Sequence, residues 1–329
     1  MNIAIIGAGM AGLACADALL EAGHKISLFD KGRGPGGRMS TRRMATPLGE
    51  AAFDHGAQYF TARDPRFLEL VKGWSKTGIV APWPAAGSDA WVGLPGMNAV
   101  IRKMAEAHAV EWGYLISGMH RRGGSWWLLR SAGEIGPFDA VILAIPAEQA
   151  AAILSLHDFA MARTALTARS QPCWTSMFVF DRSIDDIEPV MRNRGDILWA
   201  ARNSAKPGRS GPEAWIVQAN PVWTAARIEA PEEHISEWLC GALASAVGRP
   251  LLKPIAAASH RWRYALSAGT GDGALWNDGI ALGVCGDWLL GPRVECAWQS
   301  GRMLAERCAG VFRQTEQVTA SRLERIHRR

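Results

Sequence analysis

Three glycines near the start of the chain have the spacing of a dinucleotide-binding loop. Gly7, Gly9 and Gly12 form the pattern Gly-x-Gly-x-x-Gly. In such a loop the first glycine allows a tight turn, the second lets a pyrophosphate approach the backbone, and the third lets a helix pack closely on a strand. The N-terminus of that helix also attracts negative charge. Asp30 follows at the end of the next strand-like run, where a carboxylate suits a ribose 2′-hydroxyl. The spacing predicts a bound dinucleotide, with NAD and FAD both open.

The residues around these glycines predict a β-α-β unit. Asn2–Ile6 is rich in isoleucine, which is typical of a strand buried on both faces. A helical pattern runs from Leu13 to Ala22 and ends at Gly23, and Lys25–Phe29 reads as a second strand that leads to Asp30. The loop therefore joins a buried strand to a helix, which is the context that the glycine pattern requires.

Beyond this unit the pattern changes at about residue 157. Before that point we predict two helices and three strands: Pro65–Trp74, Asn98–Ala107, Val110–Ile116, Trp126–Arg130 and Phe138–Ile145. After it we predict antiparallel strands, an amphipathic helix, a further buried strand and a last helix: Trp174–Phe180, Ile197–Ala201, Ala214–Gln218, Pro231–Val247, Gly279–Val284 and Glu295–Phe312.

These segments predict an α/β protein with two domains. One is a Rossmann-type nucleotide-binding domain with a parallel central sheet, and the other is an α+β substrate domain with an antiparallel sheet. The predicted boundaries are 1–60, 93–156 and 272–315 for the first domain, 61–92 and 157–271 for the second, and 316–329 for a basic C-terminal tail.

Composition narrows the class of protein. Apolar residues make up 48% of the chain and charged residues 20%, which excludes a disordered protein. The 36 basic and 31 acidic residues give a net charge of +5, too small for a nucleic-acid-binding protein. The six cysteines form no Cys-x-x-Cys pair, so we expect no disulfide scaffold and no metal site. We find no membrane-spanning run and no signal peptide, and we expect a cytoplasmic protein with no membrane partner.

A second glycine-rich segment distinguishes between NAD and FAD. Gly36-Gly37-Arg38 follows Asp30 closely, and Gly286-Asp287 follows a predicted buried strand near the C-terminus. Together they resemble two motifs of the FAD-containing amine-oxidase and glutathione-reductase-like superfamily. The resemblance implies that the first motif holds the FAD pyrophosphate and that the aspartate of the second binds the ribityl chain. It also implies one non-covalently bound FAD per chain.

Three further segments resemble the renalase family in its bacterial form. They are Asp54–Thr61, Pro95–Asn98 and His260–Tyr264, and the resemblance extends from Met1 to about Phe312. Members of that family oxidise misplaced dihydro isomers of NAD(P), reduced at ring position 2 or 6, to NAD(P)+. They pass the electrons to O2, which becomes H2O2.

The resemblance implies a cofactor site built from several separate segments. Ile116 would meet the adenine, and the helix that begins near Glu295 would direct its N-terminus at the flavin, where it stabilises negative charge. The full set of expected cofactor residues is Gly7, Gly9, Ala11, Gly12, Asp30, Lys31, Arg38, Met39, His55, Gly56, Ala57, Ile116, Gly286, Asp287, Val294, Glu295 and Ala297.

Six residues are candidates for the flavin-facing pocket. Gln58, Tyr59 and Phe60 follow a cofactor segment, and an aromatic wall would hold a flat ring against the flavin. His260 could orient a substrate through hydrogen bonds, and the set is completed by Met97 and Trp288. Core packing of the aromatic residues and a surface position for His260 stay open as alternatives.

The expected function is oxidation of dihydro isomers of NAD(P), with a small-molecule dinucleotide and O2 as partners. A dihydropyridine becomes an aromatic cation when it loses hydride, so no acid–base residue is required. Two alternatives remain. An FAD-dependent oxidase of amines or other small molecules would need a pair of aromatic residues and a lysine near the flavin. A non-catalytic FAD-binding protein is the second alternative, because a fold alone does not establish catalysis.

Overall fold

The computed structural model of the chain describes residues 1–184 and 186–308. The predicted tail 316–329 and the predicted helix end at Phe312 lie outside the described residues. Within them the helices are Met10–Glu21 (α1), Pro65–Lys76 (α2), Asn98–Ala105 (α3), Ala147–Leu154 (α4), Phe159–Thr167 (α5), Pro221–Ala225 (α6), Glu232–Val247 (α7) and 294–308 (α8). The strands are Asn2–Ile6 (β1), Lys25–Asp30 (β2), Arg42–Thr46 (β3), Gly49–Phe53 (β4), Phe60–Thr61 (β5), Val80–Pro82 (β6), Ala90–Gly93 (β7), Val110–Trp112 (β8), Gly118–Arg122 (β9), Ser125–Arg130 (β10), Gly133–Phe138 (β11), Ala140–Leu143 (β12), Ser170–Phe180 (β13), Val190–Arg194 (β14), Ile197–Arg202 (β15), Glu213–Ala219 (β16), Ala256–Ser267 (β17), Leu275–Asn277 (β18) and Leu282–Val284 (β19).

A six-stranded sheet forms the centre of the nucleotide-binding part. Its order is β18-β19-β12-β1-β2-β8. β1 pairs in parallel with β2 and β12, while β8 and β19 extend the sheet in parallel on either side. Only the edge strand β18 pairs antiparallel. The apolar side chains of β1 and β12 are buried, as expected for strands covered on both faces. The predicted parallel Rossmann-type sheet is confirmed.

Helix α1 packs on this sheet and begins earlier than the sequence indicates. We predict its start at Leu13, but it begins at Met10, so Gly12 lies inside its first turns. The close packing of helix and strand tolerates only a glycine there, since a Cβ on Gly12 would lie 1.9 Å from the carbonyl oxygen of Gly7. The helix is followed by Gly23, whose φ of +85° reverses the chain into β2.

A five-stranded antiparallel sheet forms the second predicted part. Its order is β14-β15-β16-β13-β17, and every pairing is antiparallel. Helix α7 covers one face with Ile235, Leu239 and Leu243, which pack in a cluster with Trp174 and Phe178. The predicted antiparallel sheet is confirmed. The sequence patterns do not reveal β17, the strand that carries His260.

Three predicted strands are longer than the observed ones. The strand predicted at Phe138–Ile145 is reduced to β12, because Phe138 ends β11 and the chain leaves the sheet after Leu143 on its way to α4. The strand predicted at Val110–Ile116 ends at Trp112, because Gly113 turns the chain with a φ of +77°. Ile116 therefore lies in an irregular link before β9 and not in a strand. The strand predicted at Gly279–Val284 begins only at Leu282, after a turn in which Ala281 has a φ of +51°.

Smaller sheets connect these parts, namely β11-β10-β9, β5-β7-β6 and the hairpin β3-β4. The domain boundaries at 60, 93, 156 and 272 remain predictions. Within residues 1–184 and 186–308, no helix combines the length and the apolar character needed to cross a membrane.

Candidate functional site

The glycine loop between β1 and α1 leaves space beside one of its three glycines. A Cβ on Gly7 would lie 2.4 Å from the carbonyl oxygen of Ala144, and Gly7 has a φ of +105°. Gly7 and Gly12 are therefore required by the fold. Gly9 has no protein atom within 4 Å of its Cβ position, and it caps α1 without a side-chain hydrogen bond. Open space beside an uncapped helix N-terminus fits the pyrophosphate of a dinucleotide.

Asp30 holds this loop in place. Its Oδ2 accepts a hydrogen bond of 2.8 Å from the amide of Ala8, and its Oδ1 accepts one of 2.7 Å from the amide of Gly32. Each carboxylate oxygen can accept more than one hydrogen bond, so these contacts leave capacity for a ribose hydroxyl. Lys31, the next residue, is exposed.

Arg38 and Asp287 join the two remaining cofactor motifs. The guanidinium of Arg38 donates two hydrogen bonds to the Asp287 carboxylate, at 2.7 Å from Nη1 and 2.6 Å from Nη2. This paired geometry is the strongest that an arginine makes with a carboxylate. Asp287 also accepts a hydrogen bond of 3.0 Å from the Trp288 amide. Tertiary structure thus brings the Gly36–Arg38 segment and the Gly286-Asp287 segment into direct contact.

The segment 55–59 passes directly beside Arg38. The amide of Ala57 donates to the carbonyl oxygen of Arg38 at 2.8 Å. A Cβ on Gly56 would lie 2.0 Å from that same oxygen, so only a glycine allows the two backbones to approach. Three of the predicted cofactor residues therefore meet at one place.

One row of side chains crosses the five-stranded sheet opposite this segment. Trp199 pairs with Gln218, Gln218 with Thr175, and Thr175 with His260, which places four residues side by side on β15, β16, β13 and β17. Cross-strand partners share one face of a sheet. The row is therefore a continuous strip of polar and aromatic side chains.

This row contacts the segment 55–59 at three points. Gln218 donates from Nε2 to the carbonyl oxygen of Gly56 at 2.9 Å. The rings of His260 and His55 lie edge to face with 4.9 Å between their centroids. The rings of Trp199 and Tyr59 lie 5.2 Å apart. The antiparallel sheet and the predicted cofactor loops therefore meet along this strip.

His55 and His260 are both held neutral at pH 7. Burial, helped by the nearby His260 and Arg42, lowers the pKa of His55 to about 4. Burial and Arg42 also lower the pKa of His260. Trp262 completes the group, since its ring lies 4.4 Å from that of His260 and its Nε1 donates to the His55 carbonyl oxygen at 2.8 Å. In the described part of the chain, Nδ1 of His55 has no hydrogen-bond partner.

Behind the segment lies a buried charge cluster of Asp54, Lys206 and Arg209. Lys206 donates from Nζ to Asp54 Oδ2 at 3.2 Å, and Arg209 donates from Nη2 to the same oxygen. All three side chains are at most 2% exposed. Burial alone would raise the pKa of Asp54, but the two cations lower it to about 2. Burial, opposed by Asp54, lowers the pKa of Lys206 to about 8.

Gln58 is held by this cluster and by its own loop. Its Nε2 donates to the carbonyl oxygens of Asp54 and Gly56, and its Oε1 accepts from Lys206 Nζ at 3.2 Å. The amide is buried, and these contacts engage its donor and acceptor atoms within the protein. Gln58 therefore fixes the shape of the segment 55–59.

Several predicted pocket residues are packed in the core. Phe60 and Met97 are buried in the cluster around α1 and α2, and Trp288 donates from Nε1 to the Ile145 carbonyl oxygen at 3.1 Å. Ile116 packs in the same cluster as Trp288. Among the six pocket candidates, Tyr59 and His260 are only partly buried at the contact between sheet and loops.

Glu295 directs its carboxylate to a neighbouring loop. Its Oε1 accepts hydrogen bonds of 2.5 Å from the amides of Arg63 and Asp64, just before α2. The Asp64 side chain in turn caps α2 through the amides of Arg66 and Phe67. The Glu295 side chain thus joins α8 to α2, and Val294 and Ala297 lie beside it in the first turn of α8.

Sequence reasoning missed the residues that lie behind and opposite the cofactor loops. They are Asp54 and Lys206 with Arg209, and Thr175, Gln218 and Trp199 on the sheet. Lys206 and Arg209 belong to an ordinary turn-forming stretch, Lys-Pro-Gly-Arg, that resembles a solvated loop. Asp54 is the first residue of the segment Asp54–Thr61, whose resemblance to the renalase family gives it no individual role. Nothing in the local pattern indicates that these charges are buried together.

Comparison with known proteins supports the fold and the cofactor. The model of the family described as flavin containing amine oxidoreductase matches residues 85–309. The model of the NAD(P)-binding Rossmann-like domain matches residues 5–74. The match to the NAD(P)-binding Rossmann-like domain contains the Gly7–Gly12 loop and Arg38. These matches support FAD as the cofactor of the protein.

Individual relatives are distant. Renalase of Mus musculus is 22% identical over 299 residues, which cover 80% of this chain and 84% of the mouse protein. A protein from Exiguobacterium sp. 255-15 assigned as a protoporphyrinogen oxidase has a similar structure, with a TM-score of 0.76, 13% identity, and 94% and 98% of the two chains covered. Cyclohexylamine oxidase from Brevibacterium oxydans IH-35A gives a TM-score of 0.72, 13% identity, and 95% and 99% coverage. At these identities the two structures support the fold alone.

Proposed function

The chain belongs to the flavin-containing amine oxidoreductase family, and from that premise we propose that it oxidises misreduced dihydronicotinamide dinucleotides. The 1,2-dihydro isomer of NAD(P)H is the first proposed substrate and the 1,6-dihydro isomer the second. The products are NAD(P)+ and, from O2, H2O2. When bound, FAD supplies the hydride acceptor. The similarity to mouse renalase and the contact between the sheet row and the segment 55–59 support this proposal.

The observation that carries it is the neutral aromatic group of His55, His260 and Trp262. A dihydropyridine is a flat, uncharged ring that becomes a cation when it loses hydride. Neutral imidazoles do not repel the charge that develops, and each can both donate and accept a hydrogen bond. The Trp262 ring adds a flat apolar surface suited to stacking. The role of these residues is to orient the ring, because hydride loss needs no proton transfer.

The contacts favour this substrate over an amine. Tyr59 and Trp199 pack directly against each other, with 5.2 Å between centroids and an interplanar angle of 33°. No amine can enter between rings that are already in contact. The ammonium of Lys206 is bonded to Asp54 and Gln58 and is wholly buried. It therefore lacks the freedom of a lysine that assists amine oxidation.

Anaerobic mixing tests the proposal. The purified holoprotein is mixed separately with the 1,2-dihydro isomer, with ordinary NADH reduced at position 4, and with a panel of primary amines, while flavin absorbance is followed. Hydride transfer needs the reacting atoms within about 3–3.5 Å, so a pocket that fixes the ring in one orientation presents one ring carbon to the flavin. We expect the 1,2-dihydro isomer to bleach the flavin at least tenfold faster than NADH.

Each alternative gives a different result in the same experiment. An amine that reduces the flavin as fast as the 1,2-dihydro isomer would favour the oxidase of amines. A flavin that no compound of the panel reduces would favour the non-catalytic protein. H2O2 formed in air, in one-to-one ratio with NAD(P)+, would complete the proposed reaction.

A further inference from the structure

A polar cavity of about 200 Å³ lies between the hairpin β3-β4, the start of α3 and the loop after β15. Pockets for drug-sized ligands are usually about 300–1,000 Å³, so this cavity suits a small group or one end of a larger molecule. None of the residues that line it is a predicted cofactor or pocket residue. Its charged and polar lining includes Arg43, Arg102, Arg209, Thr41, Asn98, Ser210 and Glu50.

The charge of this lining is strongly positive. The lining contains three arginines and one acidic residue, Glu50. Glu50 pairs with Arg43 at 3.4 Å. Arg102 is exposed on α3 and forms no ion pair with any residue of the described chain. The lining therefore carries two positive charges in excess of its negative charge, before any ligand is present.

The buried cluster behind the cavity leaves this excess unchanged, because the charges of Asp54 and Lys206 cancel and Arg209 is already part of the lining. Arg209 both lines the cavity and bonds to Asp54, which it shares with Lys206. Two buried cations thus share one carboxylate, and a buried charge without a partner is costly. The buried Nε–H of Arg209 has no acceptor within the described residues. The Nη1 of Arg209 donates to the carbonyl oxygens of Gly93 and Pro207, at 2.8 and 3.1 Å. An anion in the cavity would therefore act mainly by reducing the excess of positive charge around Arg209.

Helix α3 directs its N-terminus to the same cavity. Asn98, its first residue, lines the cavity, as does Gly96 before it. The N-cap, Met97, offers no side-chain hydrogen bond, and the first turn has no acidic residue. Asp54 accepts a hydrogen bond from the Met97 amide at 2.8 Å, so this carboxylate already offsets part of the helix charge, and the arginines are the main attraction for an anion.

We propose that this cavity is a binding site for a phosphate-class anion, held by Arg43, Arg102 and Arg209. Arginines bind phosphate through pairs of N–H groups, and a phosphate group has enough acceptor oxygens to engage several arginines at once. The group is either inorganic phosphate or a phosphate of a dinucleotide. The proposal concerns binding alone, so it stands or fails independently of the proposed reaction.

Calorimetric titration of the holoprotein with inorganic phosphate tests the proposal. The buffer holds ionic strength constant with chloride, so that screening does not imitate binding. We expect saturable binding that Arg102→Gln weakens at least tenfold and Arg43→Gln weakens in the same direction. Lys103→Gln is the matched control, because Lys103 is the next residue on α3, pairs with Glu106 at 2.8 Å and does not line the cavity.

Competition identifies the source of the phosphate group. If inorganic phosphate displaces NAD+, and Arg102→Gln weakens NAD+ binding but not that of nicotinamide riboside, the site takes a phosphate of the dinucleotide. If phosphate and NAD+ bind independently, the site takes free phosphate. Both results support the site.

The absence of saturable phosphate binding would overturn the proposal. Equal binding by the parent protein and by Arg102→Gln would do the same, provided that both retain FAD and an unchanged far-UV circular dichroism spectrum. Flavin bleaching by the 1,2-dihydro isomer is measured separately, so failure of this site is distinguishable from failure of the proposed reaction.

Discussion

The glycine loop and the segment 54–58, which is Asp54 with the first four residues of the segment 55–59, both carry predicted site residues, but different interactions hold them. The loop is fixed by groups from the adjacent strand: the Gly7 amide donates to the Phe29 carbonyl oxygen at 2.8 Å, and the Ala8 amide donates to the Asp30 side chain at 2.8 Å. The segment 54–58 is fixed mainly by buried side chains. Asp54 accepts hydrogen bonds from Thr41 and from the Met97 amide at 2.8 Å each, in addition to its two cations.

The difference shows two ways to build a rigid binding surface. The glycine loop needs small residues at fixed spacing within one short stretch of chain. The segment 54–58 depends on a contact in the interior between the charges of Asp54 and Lys206. These two residues lie 152 positions apart in the sequence. A site made from backbone loses its ligand when one glycine gains a side chain. A site made from buried charges loses stability when one charge is removed.

The largest expected effect is the loss of Asp54. Asp54→Asn leaves Lys206 and Arg209 buried without a counter-charge, and breaking a buried ion pair costs about 3–5 kcal/mol. Lys206→Met should lower the free energy of unfolding clearly less than Asp54→Asn does, because Asp54 and Arg209 then form a balanced ion pair. Urea unfolding of the three proteins measures the differences in the free energy of unfolding.

Asp89→Asn is the control for this experiment. Asp89 pairs with Arg63 at 3.0 Å, but both side chains are largely exposed, and exposed pairs contribute about 0–1 kcal/mol. If Asp54→Asn destabilises the protein no more than Asp89→Asn, the buried cluster does not hold the segment 54–58 as described.

The next effect concerns cofactor retention at the glycine loop. Gly9 has an extended backbone with a φ of −83° that valine also adopts, and no protein atom lies within 4 Å of its Cβ position. Gly9→Val should therefore fold normally yet bind FAD at least 100-fold more weakly, since the side chain takes the space of the pyrophosphate. The absorbance ratio of flavin to protein after purification measures the loss.

Gly12→Val is the comparison variant for Gly9→Val, because a valine side chain at position 12 would overlap the carbonyl oxygen of Gly7. We expect that variant to lose the fold as well as FAD, as judged by circular dichroism. The parent protein should release intact FAD when denatured, as a non-covalent cofactor does. A Gly9→Val protein that purifies fully loaded would refute this position for the pyrophosphate.

The smallest effect is a pH dependence from His55. Its pKa is lowered from 6.5 to about 4 in the folded protein, so between these values the unfolded chain binds more protons. The contribution of His55 to the free energy of unfolding is fully present above pH 6.5 and declines as the pH falls toward 4. At pH 5 the loss is about 2 kcal/mol relative to pH 7. His55→Gln should remove this part of the difference in unfolding free energy.

The exposed His234 on α7 serves as the reference position. In His234→Gln, the difference in unfolding free energy between pH 7 and pH 5 should equal that of the parent protein. An equal change in both variants would mean that the surroundings of His55 do not hold it neutral.

Much of the nucleotide-binding part could be predicted from the sequence. The run Asn2–Ile6, the glycine loop and Asp30 are contiguous, and each follows from local rules about buried strands, turns and helix starts. The Asp64-Pro65 start of α2 was predicted for the same reason and is confirmed by the hydrogen bonds of the Asp64 side chain. The extents of β8 and β19 were predicted too long because turns at Gly113 and Ala281 are not visible in a pattern of apolar residues.

The candidate site itself was predicted only as a set of positions. The sequence indicated that Gln58, Phe60 and Trp288 lie near the flavin, but it did not reveal what each side chain contacts. Gln58 bonds to its own loop and to Lys206, while Phe60 and Trp288 are buried in the core. A side chain's direction depends on neighbours from other parts of the chain.

The sequence by itself therefore determined the Rossmann-type unit and its glycine loop, because a few adjacent residues fix the geometry of a strand, a tight turn and a helix N-terminus. Only the tertiary structure decided which side chains oppose the loops and which charges are buried together. Burial lowers the pKa values of His55 and Lys206 because water is excluded around them. That exclusion exists only when β17, the loop after β15 and the segment 54–58 are packed together, which no local pattern specifies.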